Sequence, residues 1–441
     1  MKKQLFILLL TLLPMVASAD AVEIDGIYYN LIPKGKAAEV TANPNKYNGD
    51  IDIPSSFIYE DIEYTVKTIA NGAFSGSEGL KSVNIPFSVT SIGNYAFNGC
   101  IALESVVIPG CVTSIGEGAF CGCTGLTGVT MSNSVASIGN SAFSGCTSLS
   151  IFILPNSLES IESYTFYGCD NLSLIYIPSS VKTIKSYAFS GCSKLNSVHI
   201  ADLKAWCEIE FDDNGYPNRA NPLYNAHHLY LNDEEIKDLV IPDNVTSISG
   251  RCFAGCTGLT SLTIPDCVTS IGNQSFYECT GLTSVKIGNG LSVINTSSFA
   301  SCSSLKTVSI GEATTTIGQD AFKRCCNLAS INFTEGLATI ENNAFYECTS
   351  ITKIDLPMSV TTIGECAFYN CKSLTSISVS NSVTNIGPNA FEDCISLESF
   401  IIPSGLKNIN NSTFLNCTSL SSVTIPDGVV MIYNSSFNSC I

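Results

Sequence analysis

Twenty-one cysteines and three histidines carry the strongest intrinsic chemistry in this chain of 441 residues. Thiolates attack, oxidise and bind metal, and imidazoles transfer protons or bind metal. Fourteen of the cysteines fall on one rung, three residues after a repeating phenylalanine, from Cys100, Cys123 and Cys146 to Cys417 and Cys440, and Ser77 is the one substitution on it. If the units stack like strands, neighbouring rungs lie about 4.8 Å apart. Disulfides span Cα separations of roughly 4.4–6.8 Å, so pairing is geometrically open. The favoured expectation is a file of small buried thiols. Zinc needs convergent ligands, and His199, His227 and His228 stand in no ligand spacing with the cysteines, so neither metal nor cofactor is expected.

Other catalytic chemistry is equally hard to place. No G-x-S-x-G elbow, H-E-x-x-H helix or phosphate loop occurs. The outward strand positions two before the proline slot run Asn84, Val107, Thr130, Ile153, Tyr176, His199, Thr263, Lys286, Ser309, Asn332, Asp355, Ser378, Ile401 and Thr424, and this row holds one carboxylate. A carboxylate pair for glycoside hydrolysis has no home there. The chain is expected not to be an enzyme, with a polysaccharide-active enzyme as the lesser alternative. The neighbouring outward row is mostly serine, at Ser82, Ser105, Ser197, Ser261, Ser284, Ser330, Ser376, Ser399 and Ser422. It reads as a solvated face in preference to a sugar-binding strip.

The elements that position these rows repeat. Phenylalanine returns every 23 residues from Phe74 to Phe189 and again from Phe253 to Phe437, fifteen in all. Each unit reads approximately Phe-x-x-Cys-x-x-Leu-x-x-Val-x-Ile-Pro-x-x-Val-x-x-Ile-Gly-x-x-Ala. Alternating Val-x-Ile before Pro, then Ile before Gly, is strand and turn chemistry with little room for helix. A period held over so many copies means a stack whose coils bury apolar side chains against their neighbours.

Units such as Leu103-Glu104-Ser105-Val106-Val107-Ile108-Pro109 and Ser114-Ile115-Gly116-Glu117-Gly118-Ala119-Phe120-Cys121-Gly122-Cys123 resemble the BspA-like leucine-rich repeats of bacterial surface and secreted proteins. The resemblance covers residues 69–441 apart from one island, and the cysteine before the strand leucine is what points to this subfamily. It implies a mainly β leucine-rich-repeat solenoid of about 15 right-handed coils, and a role in adhesion or recognition at a bacterial cell surface.

Residues 1–19 combine Lys2-Lys3, the apolar run Leu5–Leu10 and the ending Ala17-Ser18-Ala19, which reads as a signal peptide cleaved before Asp20. A soluble exported chain without membrane insertion is expected, secreted or at the cell surface. Losing the two lysines takes the formal charge from −17 to −19 (−17 − 2), which opposes a nucleic-acid or anionic-membrane partner. With 13% charged and 45% hydrophobic residues, disorder is not expected.

Two segments leave the phase. Residues 20–68 read as an N-terminal β cap, with a hairpin signal in Val22-Glu23-Ile24 and Ile27-Tyr28-Tyr29 around Asp25-Gly26. An island at 201–235 separates repeats 69–200 from repeats 236–441. The next phase position after Phe189 falls at Tyr230, 41 residues on and 18 more than one coil. The island carries Trp206, Phe211 and Tyr216, and reads as a packed structural insertion or as a loop rimming a binding face.

Just before it the outward positions become Ile151, Ile153, Leu174, Tyr176 and His199, alternating with inward Phe152, Ile175 and Val198. They are expected to form one outward apolar patch, with Tyr216 at its rim. The open alternative is that the island folds back over the patch. Two roles remain in view: docking of a protein or glycan partner, host or self, at a cell surface, or a spacer, a rod on the order of 70 Å at about 4.8 Å per coil.

Overall fold

A computed structural model describes residues 21–212 and 220–440. The signal-peptide reading and Tyr216 lie outside the described residues. The chain divides at Ser148/Leu149 into two compact units. Each is mainly β, and the coils number about 16 in total.

In the first unit, Val22–Ile24 and Ile27–Ile32 pair antiparallel through Asp25-Gly26, whose positive φ values of 49° and 82° suit a tight hairpin turn. Ile27–Ile32 also pairs with Ala37–Val40, which pairs parallel with Ile62–Ile69. The cap thereby delivers Ile69 onto the isoleucine file, where it is in register with Ile92, then Ile115 and Ile138. Tyr47 lies over the first repeat phenylalanine, with ring centroids 4.5 Å apart from Phe74. Its main-chain N–H donates to Ser77 Oγ at 3.1 Å. Ser77 replaces cysteine here because the cap presents a donor that a hydroxyl accepts better than sulfur does.

Each repeat has a longer strand and a two-residue strand. Ser105–Ile108 alternates exposed and buried, with Val106 and Ile108 inward, and pairs parallel with Gly128–Met131. Ser114–Ile115 continues the isoleucine ladder. Gly116 follows because a Cβ there would sit 2.6 Å from the main-chain nitrogen of Asn94 in the preceding coil.

Between them the phenylalanine turn is bonded to its neighbours too. Phe97 N–H donates to Ala119 O at 2.7 Å, and Gly99 N–H to Cys121 O at 2.7 Å. Aiming alternate N–H groups along the stack puts residues two before and two after each phenylalanine in the left-handed region, such as Tyr95 (φ 55°) and Gly99 (φ 72°). The phenylalanine rings stack 4.8–5.4 Å apart from Phe74 to Phe143. From Phe253 to Phe437 in the second unit the spacing is 5.2–5.5 Å, with interplanar angles of 2–7°. Offset aromatic stacks prefer such distances.

All 21 cysteines are free thiols, and the rung is buried as far as Cys417, with Cys440 partly exposed. The rung thiols have a task that composition does not reveal. At twelve of the fourteen rung positions Sγ donates to the carbonyl of the phenylalanine one coil back, at 3.1 Å for Cys100 on Phe74, 3.2 Å for Cys279 on Phe253 and 3.1 Å for Cys417 on Phe391. Burial pushes the thiols of Cys100, Cys256 and Cys371 up to about 12.

Two outcomes follow from this packing. Replacing Phe276 by Ala costs about 3–5 kcal/mol by opening a cavity in the ring stack. Coils couple only to neighbours, so limited proteolysis finds the new cleavage sites within the adjoining coils, and uniform loss of resistance along the chain contradicts it. Thiol titration at pH 8 finds little reactivity beyond exposed Cys111 and the partly exposed Cys121, Cys267, Cys326, Cys366 and Cys440 until the chain is unfolded. Unfolding without reductant then releases the remainder, because thiols rather than disulfides fill the rung.

Candidate binding face at the interrupted sheet

Four strands of the second unit form the expected face. Ile151–Ile153 pairs with Leu174–Ile177, which pairs with Ser197–Ile200, which pairs with Leu229–Leu231. Phe152, Ile175, Val198 and Leu229 point inward and are buried. Their in-register ladder leaves two outward rows, Ile151–Leu174–Ser197 and Ile153–Tyr176–His199–Tyr230. Ile151 and Ile153 are 52% and 62% exposed, and Leu174 and Tyr176 are partly exposed.

His199 behaves differently from the expected outward apolar position. It is on the outward row, yet only 8% exposed. Tyr176 covers it on one side with centroids 4.7 Å apart, and Tyr230 stacks on the other at 4.6 Å and 2°. Its Nδ1 lies 2.7 Å from Asp233 Oδ1, and the Tyr176 hydroxyl donates to the same oxygen at 3.0 Å. The face therefore ends in a clasp at His199, and its open part is Ile151, Ile153, Leu174 and the rim of Tyr176.

The clasp comes from a hairpin that the repeat period hides. Leu229–Leu231 turns through Asn232 and Asp233 (φ 50° and 67°) into the antiparallel Glu234–Glu235. Two consecutive left-handed residues make the tight hairpin turn, and Asn and Asp tolerate that conformation well. Tyr230 is consequently a strand residue in register with His199, rather than the phenylalanine-phase position that counting back from Phe253 gives. The dipeptide Asn232-Asp233 between Tyr230-Leu231 and Glu234-Glu235 was the available signal.

The rest of the island completes a coil. Asp202 caps the helix Leu203–Cys207, its Oδ1 accepting from Lys204 and Ala205 N–H at 2.8 and 3.2 Å. Trp206 is buried edge-on to Phe211, and Glu210–Phe211 pairs with Thr183–Ile184 on the short-strand ladder. The helix Leu223–Ala226 stands where a phenylalanine turn would be. Asn225 Nδ2 donates to Phe189 O at 2.9 Å, the task a rung thiol performs elsewhere.

Beside Tyr176 the face opens into a cleft of about 260 Å³, with Leu154, Ile177 and Ile200 among its apolar walls and Asn232 and Asp233 at its edge. The His199 and Tyr176 hydrogen bonds hold the Asp233 carboxyl below the usual carboxylate range. A second pairing fixes the hairpin's far strand, where His228 Nδ1 lies 2.6 Å from Glu235 Oε1 and Lys237 Nζ 3.4 Å from Oε2. A larger groove of about 440 Å³ runs past Glu341, Asn342 and Glu365, but the Asn342 carboxamide there accepts the Glu365 N–H at 2.9 Å and serves the stack. Among the described residues, no three His, Cys, Asp or Glu side chains gather to hold a metal. No helix among them is long and apolar enough to cross a membrane.

A capped stack of 23-residue β coils with this file of phenylalanine, cysteine, leucine and isoleucine defines a leucine-rich-repeat solenoid. The model of the BspA type leucine rich repeat region matches residues 55–135, 122–210, 226–352 and 338–441, and the chain belongs to that family. A leucine-rich repeat protein from Bacteroides ovatus is similar over 93% of this chain and 99% of its own, at 29% identity and a TM-score of 0.59. A leucine rich cell surface protein from Faecalibacterium prausnitzii is 28% identical over 81% of this chain and 94% of its own, with a TM-score of 0.46. No curated protein matches the chain.

The clasp has a pH signature. A carboxyl held below its ordinary value of about 3.9 contributes stability above that value and loses it as the pH falls through the lowered one. Amide exchange at Asn232–Glu235 is therefore expected to stay protected from pH 7 into the ordinary carboxylate range, and to speed up only below it. Asp233→Asn removes the share of that step due to Asp233 and leaves the share of Glu235, which burial raises but His228 and Lys237 bring below the usual range, and an unchanged acid profile in this variant contradicts the assignment.

Proposed function

We propose that the protein is an exported, non-enzymatic binding module that docks a partner at a cell surface through the face of Ile151, Ile153, Leu174 and Tyr176. The observation that carries this reading is the contiguity of the two isoleucines, both more than half exposed, with Leu174 and Tyr176 on the next strand. Contiguous exposed apolar area is uncommon on monomers and marks partner sites. The hairpin turn at Asn232-Asp233 borders this area without burying Ile151 or Ile153. The signal-peptide pattern of residues 1–19 supports export, and membership of the BspA type repeat family supports adhesion or recognition as the role. A protein partner is favoured over a glycan because the open part of the face is aliphatic, whereas sugars are gripped by exposed aromatic platforms.

The mature chain, immobilised and incubated with cell-surface protein fractions, is expected to retain a partner that the Leu174→Ser, Tyr176→Ser double variant fails to retain. Both side chains are partly exposed, so the thermal transition stays close to that of the parent, within the range of about 0.5 kcal/mol usual for surface changes. A large fall in thermal stability shows that the two residues are core, and retention of the partner by a stable variant moves the site elsewhere.

A further inference from the structure

We propose that the cleft beside Tyr176 seats an arginine side chain of the protein partner. The assignment rests on the reading of this surface as the binding face. At about 260 Å³ the cleft is smaller than the roughly 300–1,000 Å³ of small-molecule sites, and its size suits one long side chain. Leu154, Ile177 and Ile200 offer an apolar wall to a methylene stem, with Ile153 at the entrance. At the edge stands Asp233, whose side chain is 67% exposed. Its Oδ1 holds the Tyr176 O–H and the His199 ring nitrogen, while Oδ2 has no hydrogen-bond partner among the described residues.

Among the described residues no lysine or arginine pairs with Asp233, whose ion-pair partner is His199 through Oδ1. Lys237 pairs with Glu235, Lys204 with Glu208 and Lys182 with Glu159. The chain carries a formal charge of −17, which favours a cationic complement from a partner. A guanidinium meets all the features present. It is planar and weakly hydrated, it lies on an aromatic face such as Tyr176, and it donates in a fork to a carboxylate. An ammonium is a compact, strongly hydrated point charge, and gains little from the apolar wall and the ring.

The test uses the full mature chain with isoleucine δ-methyl labels, titrated with acetyl-Gly-Arg-Gly-amide and its lysine and citrulline counterparts. The arginine peptide is expected to shift the methyls of Ile153, Ile177 and Ile200 saturably, binding about 5-fold or more tightly than the lysine peptide. Citrulline, which keeps the shape and loses the charge, gives no saturation. Asp233→Asn retains an oxygen for Tyr176 and His199 and so isolates the charge; with the methyl spectrum otherwise native, it weakens the arginine response about 10-fold, equal to 1.4 kcal/mol. Absent shifts, equal responses to the three peptides, or an undiminished response in Asp233→Asn overturn the arginine assignment. When any of these accompanies a partner that still requires Leu174 and Tyr176, the assignment alone falls and the face stands. Partner binding that survives the Leu174→Ser, Tyr176→Ser change overturns the face itself.

Discussion

The main-chain carbonyl of the repeating phenylalanine is the group on which the stack depends. It is buried at the centre of a tight turn, and a buried carbonyl without donors is costly. In the regular coils it receives two. Phe97 O accepts the Cys100 N–H at 3.1 Å from its own turn and the Cys123 thiol at 3.1 Å from the next coil. The side chain on that rung has to be small enough to fit between coils, apolar enough to be buried and able to donate one weak hydrogen bond. Cysteine meets all three conditions, which explains a thiol density that suggests redox or metal chemistry when the residues are merely counted. The exceptions obey the same rule. Asn225 supplies the donor to Phe189 O where the coil is irregular, and Ser77 instead accepts from Tyr47 where the cap replaces a preceding coil.

That constraint fixes the period and leaves the outward residues free. Inward positions must place phenylalanine on phenylalanine and isoleucine on isoleucine, and parallel pairing in register carries each choice to the next coil. Outward positions stand in rows whose chemistry varies only where neighbouring coils differ. One outward row is mostly serine and the other is mixed, with exposed Val107 and Ile401 each flanked by Asn, Ser or Thr, so apolar residues side by side at Ile151, Ile153, Leu174 and Tyr176 are a local property of two adjacent strands. Their contact with each other follows from the ladder and needs no further packing.

The regular part of the fold was legible because a 23-residue period names every inward file at once: Phe, Cys, Leu and Ile are buried as the spacing implies. The cap hairpin at Asp25-Gly26 was legible for a local reason, the turn dipeptide. The island was not, because counting back from Phe253 to Tyr230 assumes that the phase continues. The chain instead fills one longer coil with the helices Leu203–Cys207 and Leu223–Ala226, and then reverses at Asn232-Asp233. His199 was placed on the correct row, but its burial depends on Tyr230 and Asp233, residues 31 and 34 positions away that no periodicity links to it. Thiol donation to the phenylalanine carbonyl was equally hidden, since spacing shows which residues stack and not which hydrogen bonds they make.

A cleft at this point in the stack has a geometric origin. In an uninterrupted ladder each outward row is flanked by an equivalent row at the strand spacing of about 4.8 Å, so side chains stand shoulder to shoulder and no concavity deeper than a groove forms. Reversing the chain after Leu231 breaks that equivalence. The antiparallel Glu234–Glu235 strand occupies the edge where the next parallel strand would pair, and the turn before it reaches back to Tyr176, two strands away. The hairpin thus supplies a wall at the edge of the face and sets a carboxylate on its rim. His199 holds that wall from beneath and His228 holds the returning strand, so two of the three histidines of the chain are engaged in fixing one turn. A polar group anchored at the margin of an apolar surface suits specific recognition, because apolar area contributes attraction without direction whereas an anchored carboxylate discriminates by charge and geometry.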